Sequence, residues 1–121
     1  MNTALFTDGY KTFHESAMHE DITRTYGNFT ARHGKHSNLP DNSLNGVICI
    51  GAQYLCIEYL IEGWNSDFFA YSEDAACGRI KRILDAYLGI DYNVDHFREL
   101  HQLGYLPIEV KAVPEGTIVP Y

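Results

Sequence analysis

An α+β fold, with helices packed on an antiparallel sheet, is what this sequence predicts, and three observations carry the expectation. Leu106, Ile108, Val110 and Ala112 alternate with Pro107, Glu109 and Lys111, the period of two that a half-buried strand requires. Residues 47–64 are apolar nearly all round once Gln53, Glu58 and Glu62 are set aside, as a central buried helix would be. After Ser72 apolar residues recur at helical spacing as far as Leu88, and a second such stretch runs from Val94 to Leu103. A strand, three helices and a hairpin in that order suit helices layered on an antiparallel sheet, in one domain spanning residues 1–121.

Taken in order, Thr7-Asp8-Gly9 is a turn or a helix start by composition. Residues 22–32, rich in threonine and aromatics, read as a strand with a bulge at Gly27, and residues 33–45, with Gly34 and Pro40, read as a loop. The apolar run 47–64 is not a membrane span, because Gln53, Glu58 and Glu62 would cost several kcal/mol to bury in lipid. Ser72 is a good N-cap for the next helix, with Glu73 and Asp74 in the first turn where the helix dipole favours them. Its apolar face is Ala76, Ile80, Ile83, Leu84, Tyr87 and Leu88, and Gly89 stops it. A shorter helix follows, capped by Asp91 or Asn93, with Val94, Phe97, Leu100 and Leu103 on one side and Gly104 at its end. Beyond the strand 106–112, Val113-Pro114-Glu115-Gly116 suits a type I turn and residues 117–119 a return strand. A hairpin in that terminal place needs another surface over its edge, so the protein is expected to be incomplete at its C-terminal end.

The composition sets limits on function. A chain of 121 residues can bury a real core, and 45% hydrophobic with 21% charged residues is ordinary for a globular domain. A net charge of −7 and an isoelectric point near 5.2 argue against nonspecific binding to nucleic acid or anionic membrane. No secretory leader is visible, and three cysteines without a C-x-x-C pair fit a reducing, cytoplasmic setting. Cys49 and Cys56, seven residues apart on one expected helix, would lie about 10 Å apart along its axis, too far for a disulfide. All three cysteines are read as small buried apolar residues.

Two segments carry residues suited to chemistry. The stretch from Ile22 to Pro40 holds no acid at all, yet contains Arg24, Arg32, His33, Lys35 and His36. A guanidinium and an ammonium beside Gly34 can clamp a phosphate, although a solvated basic turn is the plainer reading. Tyr26 and Phe29 beside them also allow base stacking, which the net charge disfavours. The second segment is Thr7-Asp8-Gly9-Tyr10-Lys11, where a carboxylate, an aromatic ring and an ammonium fall within four residues and can read a small ring compound together with an anion. The pairs His33/His36 and His96/His101 lack the partners of a metal site, and Glu58 with Glu62 reads as the solvent stripe of a helix. No catalytic residue, metal ligand, Walker loop or nucleophile elbow is assigned.

Together these segments resemble the nicotinamide phosphoribosyltransferase family, whose chains open with Thr-Asp-Ser-Tyr-Lys and later carry Leu-Pro-Ile-Glu-Ile-Lys-Ala-Val-Pro-Glu-Gly. Here the corresponding runs are Thr7 to Lys11 and Leu106 to Gly116. Between them, Phe29-Thr30-Ala31-Arg32 is similar to the family's Phe-Glu-x-Arg strand end, and Ile50-Gly51-Ala52-Gln53-Tyr54-Leu55 to its Tyr-Gly-Leu-Gln-Tyr-Ile helix. The four occur in family order across nearly the whole chain.

The resemblance implies the N-terminal domain of a type II phosphoribosyltransferase without its barrel domain, as a fragment or split chain that is inactive alone. It implies the pentosyl transfer by which nicotinamide and phosphoribosyl pyrophosphate give nicotinamide mononucleotide and pyrophosphate in NAD biosynthesis. It further implies Mg2+ held mainly by the missing domain, ATP as an activator, and a homodimer with sites at the subunit interface. By the same resemblance Tyr10 would stack on nicotinamide, Asp8 would line that pocket and Arg32 would hold phosphate, with Lys11 and Lys35 as further phosphate candidates. Two departures stand out: Gly9 replaces the usual serine, loosening the backbone, and Thr30 replaces a common glutamate. Nicotinate phosphoribosyltransferase shares the Thr-Asp-x-Tyr start and the Pro-Glu-Gly turn and is the alternative. A regulatory module pairing with a full-length enzyme is the non-enzymatic one.

Overall fold

The computed structural model describes residues 3–36, 38 and 46–121, which fall into two compact units: Met1–Thr12 with Gln53–Val110, and Phe13–Ala52 with Lys111–Tyr121. Pro40 and most of the loop expected over residues 33–45 lie outside the described residues. The described elements are helices and a two-stranded antiparallel sheet, consistent with an α+β class.

The first unit is organised by the stretch that follows Ser72. A helix forms over Glu73–Leu88 because Ser72 caps it, its hydroxyl accepting from the Ala75 N–H at 3.4 Å, and because Gly89 ends it with a left-handed φ of 69°. Ala76, Cys77, Ile80 and Leu84 lie on its buried face and meet Phe68, Tyr92 and Val94 to make the core. Ile83 and Tyr87, expected on that face, are exposed instead, because the buried stripe is centred on Cys77 and Ile80. Fully burying a side chain such as Phe68 or Ile80 is worth about 1.5–3 kcal/mol.

The next helix, Asp95–Leu103, starts after Val94, and Asn93 supplies the turn, its Oδ1 accepting from the Asp95 N–H at 2.7 Å. The N-cap position itself falls on Val94 without a side-chain cap bond, so neither expected residue caps the helix: Asn93 makes the turn before it, and Asp91 pairs with Lys81. Phe97 and Leu100 pack on the core, whereas Leu103 is exposed in the last turn. Gly104 closes the helix at φ 79°. Arg98 binds Glu73 at 2.9 Å and Asp74 at 3.0 Å, and Gln102 donates to Glu73 at 3.0 Å, fastening this helix to the start of its predecessor. The Gln102 and Arg98 hydrogen bonds hold the Glu73 carboxyl below its ordinary value, and burial pushes the Cys77 thiol up.

The apolar run 47–64 corrects the expectation of one central buried helix. Its first residues belong to a strand, Gly46–Ile48, and Gly51, at φ +86°, separates that strand from a helix beginning at Ala52. Cys49 and Cys56 are therefore not on one helix, and both are half-buried while Cys77 alone is buried. From Ala52–Leu55 the helix continues through two π-helical stretches, Cys56–Glu62 and Asn65–Phe69. No residue of Cys56–Glu62 is buried: Leu55, Ile57, Tyr59 and Ile61 are exposed, and Phe68 is the residue that enters the core. Bonding from i to i+5 widens the turn, so faces assigned at a spacing of 3.6 residues do not apply. Glu58 and Glu62 are exposed, as a solvent stripe requires.

The second unit contains the sheet. Its strands, β1 Gly46–Ile48 and β2 Ile118–Pro120, pair antiparallel with Gly46 opposite Pro120, Val47 opposite Val119 and Ile48 opposite Ile118. Cys49 extends the contact, donating to the Thr117 carbonyl and accepting from the Gly116 N–H, both at 2.8 Å. The expected hairpin is thus corrected: the return strand pairs with β1, and residues 106–112 are not a strand. A tight turn from Leu106 to Ile108, closed at 2.8 Å around Pro107, interrupts the alternation. The following turn also shifts by one residue. Thr117 N–H donates to the Pro114 carbonyl at 3.1 Å, and Gly116 sits third at φ +83°, a left-handed position that a type I turn lacks.

Residues 22–32 are not a strand either. They have no regular secondary structure and no ladder partner among the described residues, with Tyr26 at 94% and Phe29 at 104% exposure, so Gly27 has no strand in which to bulge. Threonine and aromatics favour a pleated surface only where a neighbour is there to pack against.

Candidate functional site

The segment Gly9–Phe13 forms a short 3₁₀ helix in which the Lys11 N–H donates to the Asp8 carbonyl at 2.9 Å. In such a helix side chains three apart eclipse, which brings Lys11 Nζ to 3.6 Å from Asp8 Oδ2. The same ammonium lies 6.0 Å from the centre of the Tyr10 ring, which is 64% exposed. Carboxylate, ring and ammonium are therefore brought together on one turn. An exposed ring beside a donor and an acceptor can stack on a planar heterocycle and bond to its substituents. The Thr12 hydroxyl donates to the Gly9 carbonyl at 2.6 Å and tightens the turn.

Two tyrosines meet this segment, one bonding to it and one lying over it, and nothing in the sequence pattern marked either for that place. Tyr92 is buried, and its hydroxyl donates to the Thr12 carbonyl at 2.6 Å across 80 residues. Tyr92 is itself fixed by its backbone: its N–H donates to Asp85 Oδ1 at 2.8 Å and its carbonyl accepts from Lys81 Nζ at 3.2 Å. Lys81 also bonds both Asp85 oxygens at 3.0–3.1 Å. The Tyr92 N–H, and then Lys81, hold the Asp85 carboxyl below its ordinary value; Asp91, and then Asp85, push the Lys81 ammonium up. Tyr87 lies over Gly9, where an added Cβ would sit 2.5 Å from its hydroxyl oxygen. Gly9 is therefore a matter of close approach as well as of backbone freedom. A side chain whose function is a single long-range hydrogen bond leaves no local sequence signal.

Arg32 and Lys35 belong to the other compact unit and are exposed, Arg32 just before a turn at residues 34–36 and Lys35 within it. The His33 and His36 rings lie 5.6 Å apart there, tilted by 59°. Arg32 follows a segment without regular secondary structure rather than a strand end. Among the described residues no group of three or more His, Cys, Asp or Glu side chains converges as a metal site would require, and no helix is long and apolar enough to cross a membrane.

Comparison with known proteins bears out the resemblance. The chain is 35% identical over 113 residues to the nicotinamide phosphoribosyltransferase of Acinetobacter baylyi, a match covering 93% of this chain and 22% of that protein. The chain thus spans about a fifth of the length of this curated relative. No protein-family model matches it, and no solved structure does.

Proposed function

We propose that this chain, related to nicotinamide phosphoribosyltransferase through a partial region of that enzyme, supplies the nicotinamide-stacking and phosphate-holding segments of such a transferase. The observation that carries this reading is the match over 93% of the chain against 22% of the relative. The exposed grouping of Asp8, Tyr10 and Lys11 on one turn supports it for the ring, and the acid-free window with Arg32 and Lys35 supports it for phosphate. Departure of pyrophosphate from the ribose develops oxocarbenium character at carbon and negative charge on the leaving group. Tyr10 would hold the incoming ring flat and in line, Asp8 would bond its substituent, and Arg32 would offset phosphate charge.

In this proposal magnesium is held mainly by the remainder of the enzyme, to which the ATP response also belongs. That remainder, or a second subunit, is the expected partner, and the exposed apolar residues Leu55, Ile57, Tyr59 and Ile61 support such a need. The purified chain, incubated with nicotinamide, phosphoribosyl pyrophosphate and magnesium, is expected to give no nicotinamide mononucleotide. Adding a polypeptide that covers the rest of the relative's length should restore it. Turnover by the 121-residue chain alone, or no turnover with the complement present, would overturn the reading.

A further inference from the structure

We infer that Tyr92 is a positioning residue for the segment that carries Asp8, Tyr10 and Lys11. The Gly9–Phe13 turn is exposed over most of its length and contributes no buried residue to the core. Short 3₁₀ turns of this kind are poor at holding their own geometry. The donation of the Tyr92 hydroxyl to the Thr12 carbonyl at 2.6 Å is what holds its last turn to buried structure. Tyr92 is suited to the task because it does not move independently. Its ring is in the core cluster with Ile80 and Val94, and its backbone is gripped on both sides by Asp85 and Lys81 of the Glu73–Leu88 helix. The chain of contacts runs from that helix through one phenol to the carbonyl next to Lys11. Tyr87, placed over Gly9, closes the opposite end of the same turn.

The clamp itself is independent of what the segment binds; its consequence for catalysis rests on the proposed function. Replacing Tyr92 by Phe keeps the ring in the core and deletes only the hydroxyl. In Tyr92→Phe, hydrogen exchange followed by NMR should show the Lys11 amide, which closes the turn onto Asp8, exchanging about fivefold faster, the loss expected for one hydrogen bond. Amides of Glu73–Leu88 should keep their wild-type rates. In the complemented enzyme the same variant should raise the KM for nicotinamide by a similar factor with kcat retained, because a loosened turn weakens ring binding without altering the reacting atoms. An unchanged Lys11 amide, or an equal acceleration throughout Glu73–Leu88, overturns the inference. A faster Lys11 amide with nicotinamide KM unmoved in both Tyr92→Phe and Tyr10→Ala upholds the clamp and removes the nicotinamide assignment. A raised KM in Tyr10→Ala with Tyr92→Phe indistinguishable from wild type does the reverse.

Discussion

The two segments proposed to meet ligand each carry a cation and are held in opposite ways. Asp8, Tyr10 and Lys11 sit on a turn closed by its own hydrogen bonds and tied through Tyr92 to the core. Arg32 and Lys35 follow residues 22–31, which have no regular secondary structure, form no ladder among the described residues and are almost wholly exposed. The first segment is preorganised by this chain. The second relies on charge, since an acid-free stretch attracts an anion whatever its local geometry. A ring must be met at a defined angle, whereas phosphate can be met by a loose cation.

This contrast can be broken at several points. The largest expected effect is Phe68→Ala, which empties the centre of the first unit and should cost about 3–5 kcal/mol. Denaturant melts followed by Trp64 fluorescence, with the ring centroids of Trp64 and Phe68 5.4 Å apart, would measure it, and a loss under about 1 kcal/mol would show that the first segment has no firm platform. Next come Tyr10→Ala and Arg32→Ala in the complemented enzyme, expected to raise the KM for nicotinamide and for phosphoribosyl pyrophosphate respectively by about tenfold. Salt should separate them: added potassium chloride should weaken the Arg32-dependent step and leave the Tyr10-dependent one nearly unchanged. Equal salt sensitivity would erase the distinction.

Gly9→Ser, which installs the residue usual in the resembled family, should have a smaller effect. The new Cβ must displace the Tyr87 hydroxyl from 2.5 Å, but that ring is 67% exposed and can swing, so the cost should stay below about 1 kcal/mol. A larger loss, rescued by Tyr87→Ala, would show that Tyr87 is held in place.

The smallest effect concerns pH. Asp85 and Glu73 have lowered carboxyl pKa values, so the stability they add is present above the unfolded carboxylate range and is lost as pH falls through their folded values. Lys81 is raised, so its contribution is complete below the ordinary lysine value and is lost as pH climbs through the folded one. Melting temperature should therefore decline at both extremes. Asp85→Asn should flatten the acid limb, and an identical acid limb in that variant would remove Asp85 from the account.

What was legible in the sequence divides along the same physical line. Ser72, Gly89 and Gly104 act within a turn of themselves, and each does what its residue type implies; Glu73 and Asp74 stand in the first turn as expected, but their bonds to Arg98 and Gln102 had no local signal. The grouping at Thr7 to Lys11 was legible for the same reason. Strand pairing was not, because alternation at Leu106 to Ala112 reports a suitable surface without naming its neighbour. The partner of residues 118–120 proved to be 46–48, far away in the chain. Residues 22–32 have strand composition and no ladder, the same shortfall seen from the other side. Tyr92 was illegible because its role depends on a carbonyl 80 residues away.

That pairing also sets a timetable for synthesis. Seventy residues separate Ile48 from Ile118, so β1 emerges from the ribosome long before its mate exists. The Glu73–Leu88 and Asp95–Leu103 helices can close on Phe68 as soon as residue 103 is free of the exit tunnel, while Gly46 waits for Pro120. During that wait Val47 and Ile48 are an unpaired edge in a growing chain, and slowing translation after residue 110 should lengthen the time in which a chaperone finds them.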